Sequence, residues 1–420
     1  MEISSKLNEF NDVDILVIGA GFAGTVASRY AAMNLDESKK ILMVESQPVP
    51  GQRIKCGEGT NASLFSDIEL QPKPEWINHK VEKIYFLFPK GNWHYFKSKG
   101  YVLNRRRTLE DFAKISTKEG VSLLTSTIVT GYDYSKNKIK LRNSKFGNKN
   151  EVIVSPKIVI GCDGIPSIIS QSSGLSRKNW RQYSTLGLEF RIKNYKISNL
   201  SIPDNTVKDI FFIFPEDRRI EYGWIFPKSE NEINVGIVTP NSFSGNQAIL
   251  LLKKFLDTYG ISGTKIETIS GVIPSFGPLL KFFKKGLLIA GDAAWHTNPI
   301  TYGGIHTASI AGRLAGEKAA QSIINKDFSE KFLSSFGESI TKKNFDHPSL
   351  LRAKEIIYGK NSLKFLSSLG ILLNGFERLP LSKINMIKIM LKMLFVSNRI
   401  SFSQLQTVDK ALKISLKQGW

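Results

Sequence analysis

The chain has 420 residues, 41% of them hydrophobic and 23% charged, which allows roughly two to three domains and excludes a disordered, collagen-like or disulfide-stapled chain. Lys and Arg number 58 against 37 Asp and Glu, a net charge of +21. That excess favours anionic partners such as nucleic acid, an anionic membrane surface or phosphorylated substrates, with plain basic surface decoration as the bland alternative.

Only Cys56 and Cys162 are present, with no CxxC and no Cys/His cluster, so neither a structural zinc nor any other metal site is expected. No run approaches the roughly 20 apolar residues of a spanning helix. The leader MEISSKLNEF lacks a signal-peptide pattern, which predicts a cytoplasmic protein. The last 90 residues hold 15 Lys and Arg against 5 Asp and Glu, so nearly half the excess charge sits there.

In chain order, Val13 to Ile18 is an apolar run of the kind a buried parallel strand shows. It enters Gly19-Ala20-Gly21-Phe22-Ala23-Gly24 and a helix from Thr25 to about Met33. A second strand over 41–44 ends at Glu45. The segment from about 80 to 105 alternates aromatic and polar residues and reads as sheet. Residues 131–150 read as a polar hairpin between strands. Ile158-Val159-Ile160 is a third buried strand before Cys162-Asp163-Gly164. Residues 181–275 read as mostly strand, 286–290 as another buried strand, and the chain from Ile305 onward as helical.

A lone GxGxxG is weak. Here it sits between a strand and a helix, and Glu45 follows Gly24 by 21 residues, the context of a dinucleotide fingerprint. Gly19 permits the tight turn, Gly21 a close approach to pyrophosphate, and Gly24 close helix–strand packing, while the helix N-terminus offers free N–H groups. The strand that ends in Gly291-Asp292 resembles the second FAD fingerprint of glutathione-reductase-like and aromatic-hydroxylase-like flavoproteins, and Asp163-Gly164 resembles their Asp-Gly turn. With one GxGxxG and no separate nicotinamide domain, FAD is the expected cofactor. The expected class is α/β: a Rossmann-type FAD-binding domain (12–180, with about 80–100 contributing to the substrate sheet, and 276–330), an antiparallel-sheet substrate domain (181–275) and a basic helical C-terminal region (331–420).

Two further segments, Lys55-Cys56-Gly57-Glu58-Gly59 and Tyr222-Gly223-Trp224-Ile225-Phe226-Pro227 with Asn234-Val235-Gly236 after it, resemble the geranylgeranyl reductase family over roughly residues 12–330. That family includes archaeal enzymes that saturate the isoprenoid chains of ether lipids. The resemblance implies Gly19, Gly21, Ala23 and Gly24 at the pyrophosphate and Glu45 on the adenosine ribose. It implies Cys56, Gly57 and Gly59 beside the flavin, Arg105 on the cofactor and Ile128 touching adenine through its backbone. Gly291 and Asp292 would hold the ribityl chain, and Gly303, Gly304 and Ile305 would point N–H groups at the flavin pyrimidine edge. Tyr222, Trp224, Phe226 and Pro227 would line the lipid-chain tunnel.

Where the family has three glycines this chain places Tyr302 first, which could narrow the flavin pocket or offer a hydroxyl to the alkene. Tyr302 and Cys56 are therefore the candidate catalytic residues; His296 and His306 flank the flavin loop as weaker ones. Redox exchange between Cys56 and Cys162 has no sequence support. The implied activity is reduction of isoprenoid C=C bonds with hydride from flavin N5, using a prenyl lipid substrate and an external electron donor, NAD(P)H or ferredoxin.

The alternative on the same fold is a flavin-dependent monooxygenase or halogenase, whose Trp-x-Trp-x-Ile-Pro motif differs at Tyr222 and Phe226. No RNA-binding motif accompanies the charge, so no nucleic-acid partner is expected. In the segment 383–395, Ile384, Ile387, Leu391 and Leu394 fall at helical spacing with Lys388 and Lys392 on another face. With Lys383, such a basic amphipathic helix can lie peripherally on an anionic membrane.

Overall fold

A computed structural model describes residues 12–53, 55–143, 151–200, 207–240, 244–342, 347–373 and 402–417. The segment 383–395 with Lys383, Lys388 and Lys392 lies outside the described residues.

Asp12–Ile18 forms the centre of the first sheet because its apolar run is covered on both faces, with Ile15, Leu16 and Val17 fully buried. Parallel partners flank it: Ile41–Val44 and then Ser122–Leu124 on one side, Glu151–Gly161 and then Leu287–Ile289 on the other. The antiparallel strands Thr127–Asp133 and Lys138–Asn143 extend from Glu151–Gly161 as a side ribbon.

The helices Phe22–Met33 and Ile305–Asn325 pack directly on each other. A Cβ on Gly312 or Gly316 would come within 2.2 Å of the carbonyl oxygens of Ala23 and Ala27. Glycines four apart on one helix face thus set the spacing of the two helices that converge on the site.

The second sheet has the order Ile261–Pro274, Ser184–Ile197, Glu232–Pro240, Tyr222–Ser229, Ile210–Ile213, Ile77–Phe88, Asn92–Leu103, Gly59–Asn61. All its pairings are antiparallel except Ile210–Ile213 with Ile77–Phe88. Strand alternation divides its residues cleanly. Leu188, Phe190, Ile225, Val235 and Ile237 pack outward on Gly245–Thr258, while Glu189, Tyr222, Trp224 and Phe226 face the first domain.

The helix Gly245–Thr258 interrupts a region whose sequence reads as mostly strand. Its start is specified locally: the Ser244 side chain accepts from Gln247 N–H and the Gln247 side chain from Ser244 N–H, a capping box. Ser244→Ala is expected to destabilise the protein by about 1 kcal/mol, read by denaturant unfolding; no change would mean that packing on the sheet alone holds the helix.

Beyond residue 330 the described chain is helical, in Glu330–Lys342, His347–Tyr358, Ser362–Leu373 and Phe402–Lys417. Leu405, Val408, Ala411 and Ile414 bury against a cluster that includes Ile300 and Tyr302. Asn298 Nδ2 donates to Ser415 Oγ at 3.0 Å. The C-terminal region therefore helps hold the loop that carries Tyr302. No described helix is long and apolar enough to cross a membrane.

Candidate flavin and substrate cleft

One cleft of about 1300 Å³, part of it open mouth, runs between the sheets. Gly19, with φ +95°, turns the chain out of the first strand. A Cβ on Gly24 would lie 1.8 Å from the Gly19 carbonyl oxygen, whereas one on Gly21 would meet nothing within 4 Å. Gly19 and Gly24 therefore build the turn, and Gly21 borders open space. Gly21 is the N-cap of Phe22–Met33 and Gly304 that of Ile305–Asn325, neither with a side-chain cap, so two sets of free backbone N–H groups end at one cleft.

Of the residues the sequence singles out, the cleft brings together Gly21, Ala23, Cys56, Gly57, Gly59, Arg105, Gly291, Asp292, Gly303, Gly304 and Ile305 with Tyr222, Trp224, Phe226 and Tyr302. Glu45 and Ile128 are not in its wall. Glu45 accepts from the N–H groups of Ala20 and Gln47 at 2.8 Å each and from Ser46 Oγ at 2.9 Å. Its backbone carbonyl takes the Thr127 N–H, which sets Ile128 beside the end of that strand. Pro227 falls on the opposite parity of its strand from Trp224 and Phe226 and is absent from the cleft wall. A period of two cannot put both 226 and 227 on one face.

Asp292 accepts from Thr297 Oγ1 at 3.0 Å, and burial holds its carboxyl above the usual carboxylate range. The Arg105 guanidinium lies 5.7 Å from the Phe22 ring centroid, and its buried Nε has no hydrogen-bond partner among the described residues. A buried donor without a partner, free helix N-termini and the open space at Gly21 fit a bound dinucleotide with an anionic pyrophosphate. The residues present therefore fit FAD.

On the opposite wall Tyr222 stacks on Tyr302, with centroids 5.7 Å apart, and Tyr302 on Tyr358 at 5.9 Å. A Cβ on Gly57 would sit 3.1 Å from both Trp224 Nε1 and Phe226 Cε2, so the aromatic face carries the Cys56–Gly57 loop as well as the cleft.

The catalytic candidates from sequence are differently disposed. The Tyr302 hydroxyl donates to Glu221 Oε2 and the ring lines the cleft. At φ +57°, Tyr302 also holds a left-handed backbone that suits glycine, a conformation that costs a β-carbon residue about 1–2 kcal/mol. Cys56 Sγ accepts from Glu58 N–H at 3.2 Å, and burial raises its thiol, keeping it protonated at neutral pH. His296 is buried edge-on to Phe282, and burial pushes it down to about 3. His306 Nε2 sits 2.8 Å from Asp67 Oδ2.

Sequence reasoning quoted Glu58 only as part of its turn, without a role, and passed over Glu189, Arg191 and Lys228. Glu58, 1% exposed, takes the Lys228 ammonium, the Arg105 N–H at 3.1 Å and Arg191 Nη2 at 3.4 Å. Glu189 lies beside it in the cleft wall. For Glu189, Arg191 and Lys228 the signal was a charge within otherwise apolar strands, at the parity of Glu189 or of Trp224 and Phe226; Glu58 instead sits in the turn before Gly59–Asn61.

No family model matches the chain. Over 343 residues it is 31% identical to a digeranylgeranylglycerophospholipid reductase of Methanococcus vannielii, covering 79% of this chain and 83% of that protein. It is 30% identical over 331 residues to digeranylgeranylglycerophospholipid reductase 1 of Methanococcoides burtonii, covering 77% and 78%. Among solved structures, a geranylgeranyl bacteriochlorophyll reductase-like protein from Thermoplasma acidophilum superposes with a TM-score of 0.78 at 23% identity, covering 96% of this chain and 99% of that one. The myxobacterial chondrochloren halogenase CndH, described as FAD-dependent, superposes with a TM-score of 0.65 at 16% identity, covering 96% and 97%. These two share the fold; the sequence match to the reductases covers 79% and 77% of the chain, and on that match the chain belongs to the digeranylgeranylglycerophospholipid reductase family.

Proposed function

We propose that this protein is an FAD-dependent reductase that saturates isoprenoid C=C bonds of a geranylgeranyl lipid. The observation that carries the reading is the junction of the two walls. Two uncapped helix N-termini with Arg105 and Asp292 form one side, and the Tyr222–Trp224–Phe226 face forms the other, in a single cleft. The family membership supports the same substrate class.

In this reading residues 12–180 and 276–330 hold FAD and 181–275, with the sheet strands before Leu103, contact the prenyl chain. FAD, when bound and reduced, supplies hydride. The chain's own residues do the rest. Backbone N–H groups at 21–24 and 303–305 and the Arg105 guanidinium hold anionic and polar edges, Asp292 accepts from the ribityl chain, and Glu45 meets the adenosine ribose. The Tyr222, Trp224 and Phe226 rings desolvate and align the alkene, excluding water from the reacting carbons. An external donor, a reduced nicotinamide or a ferredoxin, restores the electrons, and the basic residues beyond 330 let the protein meet an anionic membrane that carries its lipid.

The direct test is anaerobic: chemically reduced protein mixed with a geranylgeranyl lipid should regain the oxidised flavin spectrum with one double bond saturated per flavin. A reduced protein that no prenyl lipid reoxidises refutes the reading. Asp292→Ala should purify with much less FAD than wild type, because it loses the ribityl contact and leaves Thr297 Oγ1 without its acceptor. Equal flavin content, measured by absorbance after denaturation, would remove Asp292 from the cofactor site.

A further inference from the structure

Resting on the reductase reading, we propose that Glu189 is the proton donor of the reaction, delivering a proton to one alkene carbon while the neighbouring carbon receives hydride.

Glu189 stands on Ser184–Ile197, opposite Gly236, which in turn pairs with Trp224. The register matters because Gly236 has no side chain. A Cβ there would lie 2.2 to 2.6 Å from Trp224 ring atoms, so the indole lies over the Gly236 backbone toward the strand that carries Glu189. Glu189 is 2% exposed, lines the cleft, and has no hydrogen-bond partner for either carboxyl oxygen among the described residues. The Trp224 N–H, which has no well-aligned partner among the described residues either, lies close enough to bias the carboxyl toward its charged form. A buried carboxyl with both oxygens unpaired is expensive as a carboxylate and far cheaper as a neutral acid.

The neighbouring charges explain why it stays unpaired. From the strand Tyr222–Ser229, Lys228 gives its ammonium to Glu58 and to the Leu103 carbonyl at 3.1 Å. From Glu189's own strand, Arg191 is spread over Glu58 at 3.4 Å, Glu232 at 3.4 Å and Glu267 at 3.0 Å. Both cations are thus committed to other carboxylates, and the Glu58 carboxylate is left as the near neighbour. Burial first, and Glu58 second, push Glu189 up to about 8, against the pull of Arg191 and Lys228. The carboxyl therefore carries its proton at neutral pH and lies near the pKa best suited to a general acid. Other titratable groups at the cleft are engaged or harder to deprotonate: the Tyr302 hydroxyl is held by Glu221 and that of Tyr222 by the Thr301 carbonyl, Asp292 accepts from Thr297 Oγ1, and the thiols of Cys56 and Cys162 are raised by burial.

The balance closes. The alkene π pair takes the proton from the Glu189 carboxyl to make one C–H bond, and hydride from the reduced flavin makes the other. Glu189 ends as carboxylate, the electron pair of the second C–H bond is the one that reduced FAD would supply with its hydride, and a solvent proton through the cleft mouth restores the acid. Each double bond consumes two electrons and two protons in all, and one of those protons passes through Glu189.

The test uses FAD-loaded Glu189→Gln, which keeps the size of the side chain and loses the proton. Its flavin content and visible spectrum should match wild type. Anaerobic single-turnover saturation of a geranylgeranyl lipid should slow by about a hundredfold or more. Wild type should lose rate as pH rises through about 8, where its acid form titrates away, and the residual rate of the variant should be flat there. Glu189→Asp, an acid one methylene shorter, should recover part of the rate and keep an alkaline limb. Independently of turnover, infrared titration of the wild-type protein should show a protonated carboxyl band that persists through neutral pH and is missing from Glu189→Gln. If wild type turns over and Glu189→Gln keeps its rate and alkaline limb, or if the band is absent at neutral pH, the assignment to Glu189 is overturned and the reductase reading stands. If wild type reduces no prenyl lipid, the reductase reading falls and the assignment falls with it.

Discussion

Gly24→Ala is expected to produce a protein that purifies without FAD and unfolds several kcal/mol more readily than wild type. Helix propensity alone predicts the reverse: an alanine in a helix is worth about 0.5–1 kcal/mol more than a glycine. The local geometry overrides that gain. The new Cβ would sit 1.8 Å from the Gly19 carbonyl oxygen and 3.0 Å from its carbon, with Cys162 Cβ at 3.4 Å behind.

None of these atoms is the end of a flexible side chain. Gly19 is held by its N–H bond to the Val44 carbonyl and Cys162 by its N–H bond to the Ile18 carbonyl, at 2.8 Å each. The helix must therefore lift from the sheet by more than 1 Å to regain ordinary contact. Lifting it moves the free N–H groups at its start away from the pyrophosphate and opens the Gly312 and Gly316 contacts behind it. Overpacking a rigid site costs about 1–3 kcal/mol, and the loss of FAD removes ligand stabilisation on top of that. Flavin absorbance and a denaturation curve on the same sample read both effects. A variant that is yellow and slightly more stable than wild type would mean that propensity wins and the turn is softer than its hydrogen bonds imply.

Much of this site was legible in the sequence because its parts are local. The turn at 19–24, the Cys56–Gly57 loop, Gly291-Asp292 and Gly303-Gly304 are each a short run whose backbone geometry demands glycine or a turn. The aromatic strand was readable too, up to the parity that takes Pro227 off the cleft. Glu189 was not legible. Within Leu188-Glu189-Phe190 a lone carboxylate looks like a solvent-facing residue of an alternating strand, and nothing in the run says that both faces are covered. Only the pairing of Ser184–Ile197 with Glu232–Pro240, the absence of a side chain at Gly236 and the arrival of Glu58 from 131 positions away make it a buried acid. The helix Gly245–Thr258 was missed for the opposite reason: its capping box was on the page, but the strands around it dominated the pattern.

The ion pair between Glu58 and Lys228 is expected to be the most stability-sensitive charge contact in the cleft and, through Glu189, to tune its chemistry. The side chains are 1% and 7% exposed. Removing one partner strands the other away from water, at about 3–5 kcal/mol. Lys228→Met leaves Glu58 with Arg191 at 3.4 Å and the Arg105 N–H; Glu58→Gln leaves Lys228 with the Leu103 carbonyl and the Gln amide. The double variant should be less destabilised than the sum of the singles, since it buries no lone charge, and a denaturation cycle measures that coupling.

The two singles differ in what they do to Glu189. Lys228 favours its carboxylate and Glu58 opposes it, so Lys228→Met should move the alkaline limb of turnover to higher pH and Glu58→Gln to lower pH. Both variants are expected to weaken the fold, and a loss of packing alone would move the two limbs together or leave them where they are. Opposite displacements follow only if the group that titrates lies within reach of both charges, which is where the second sheet places Glu189.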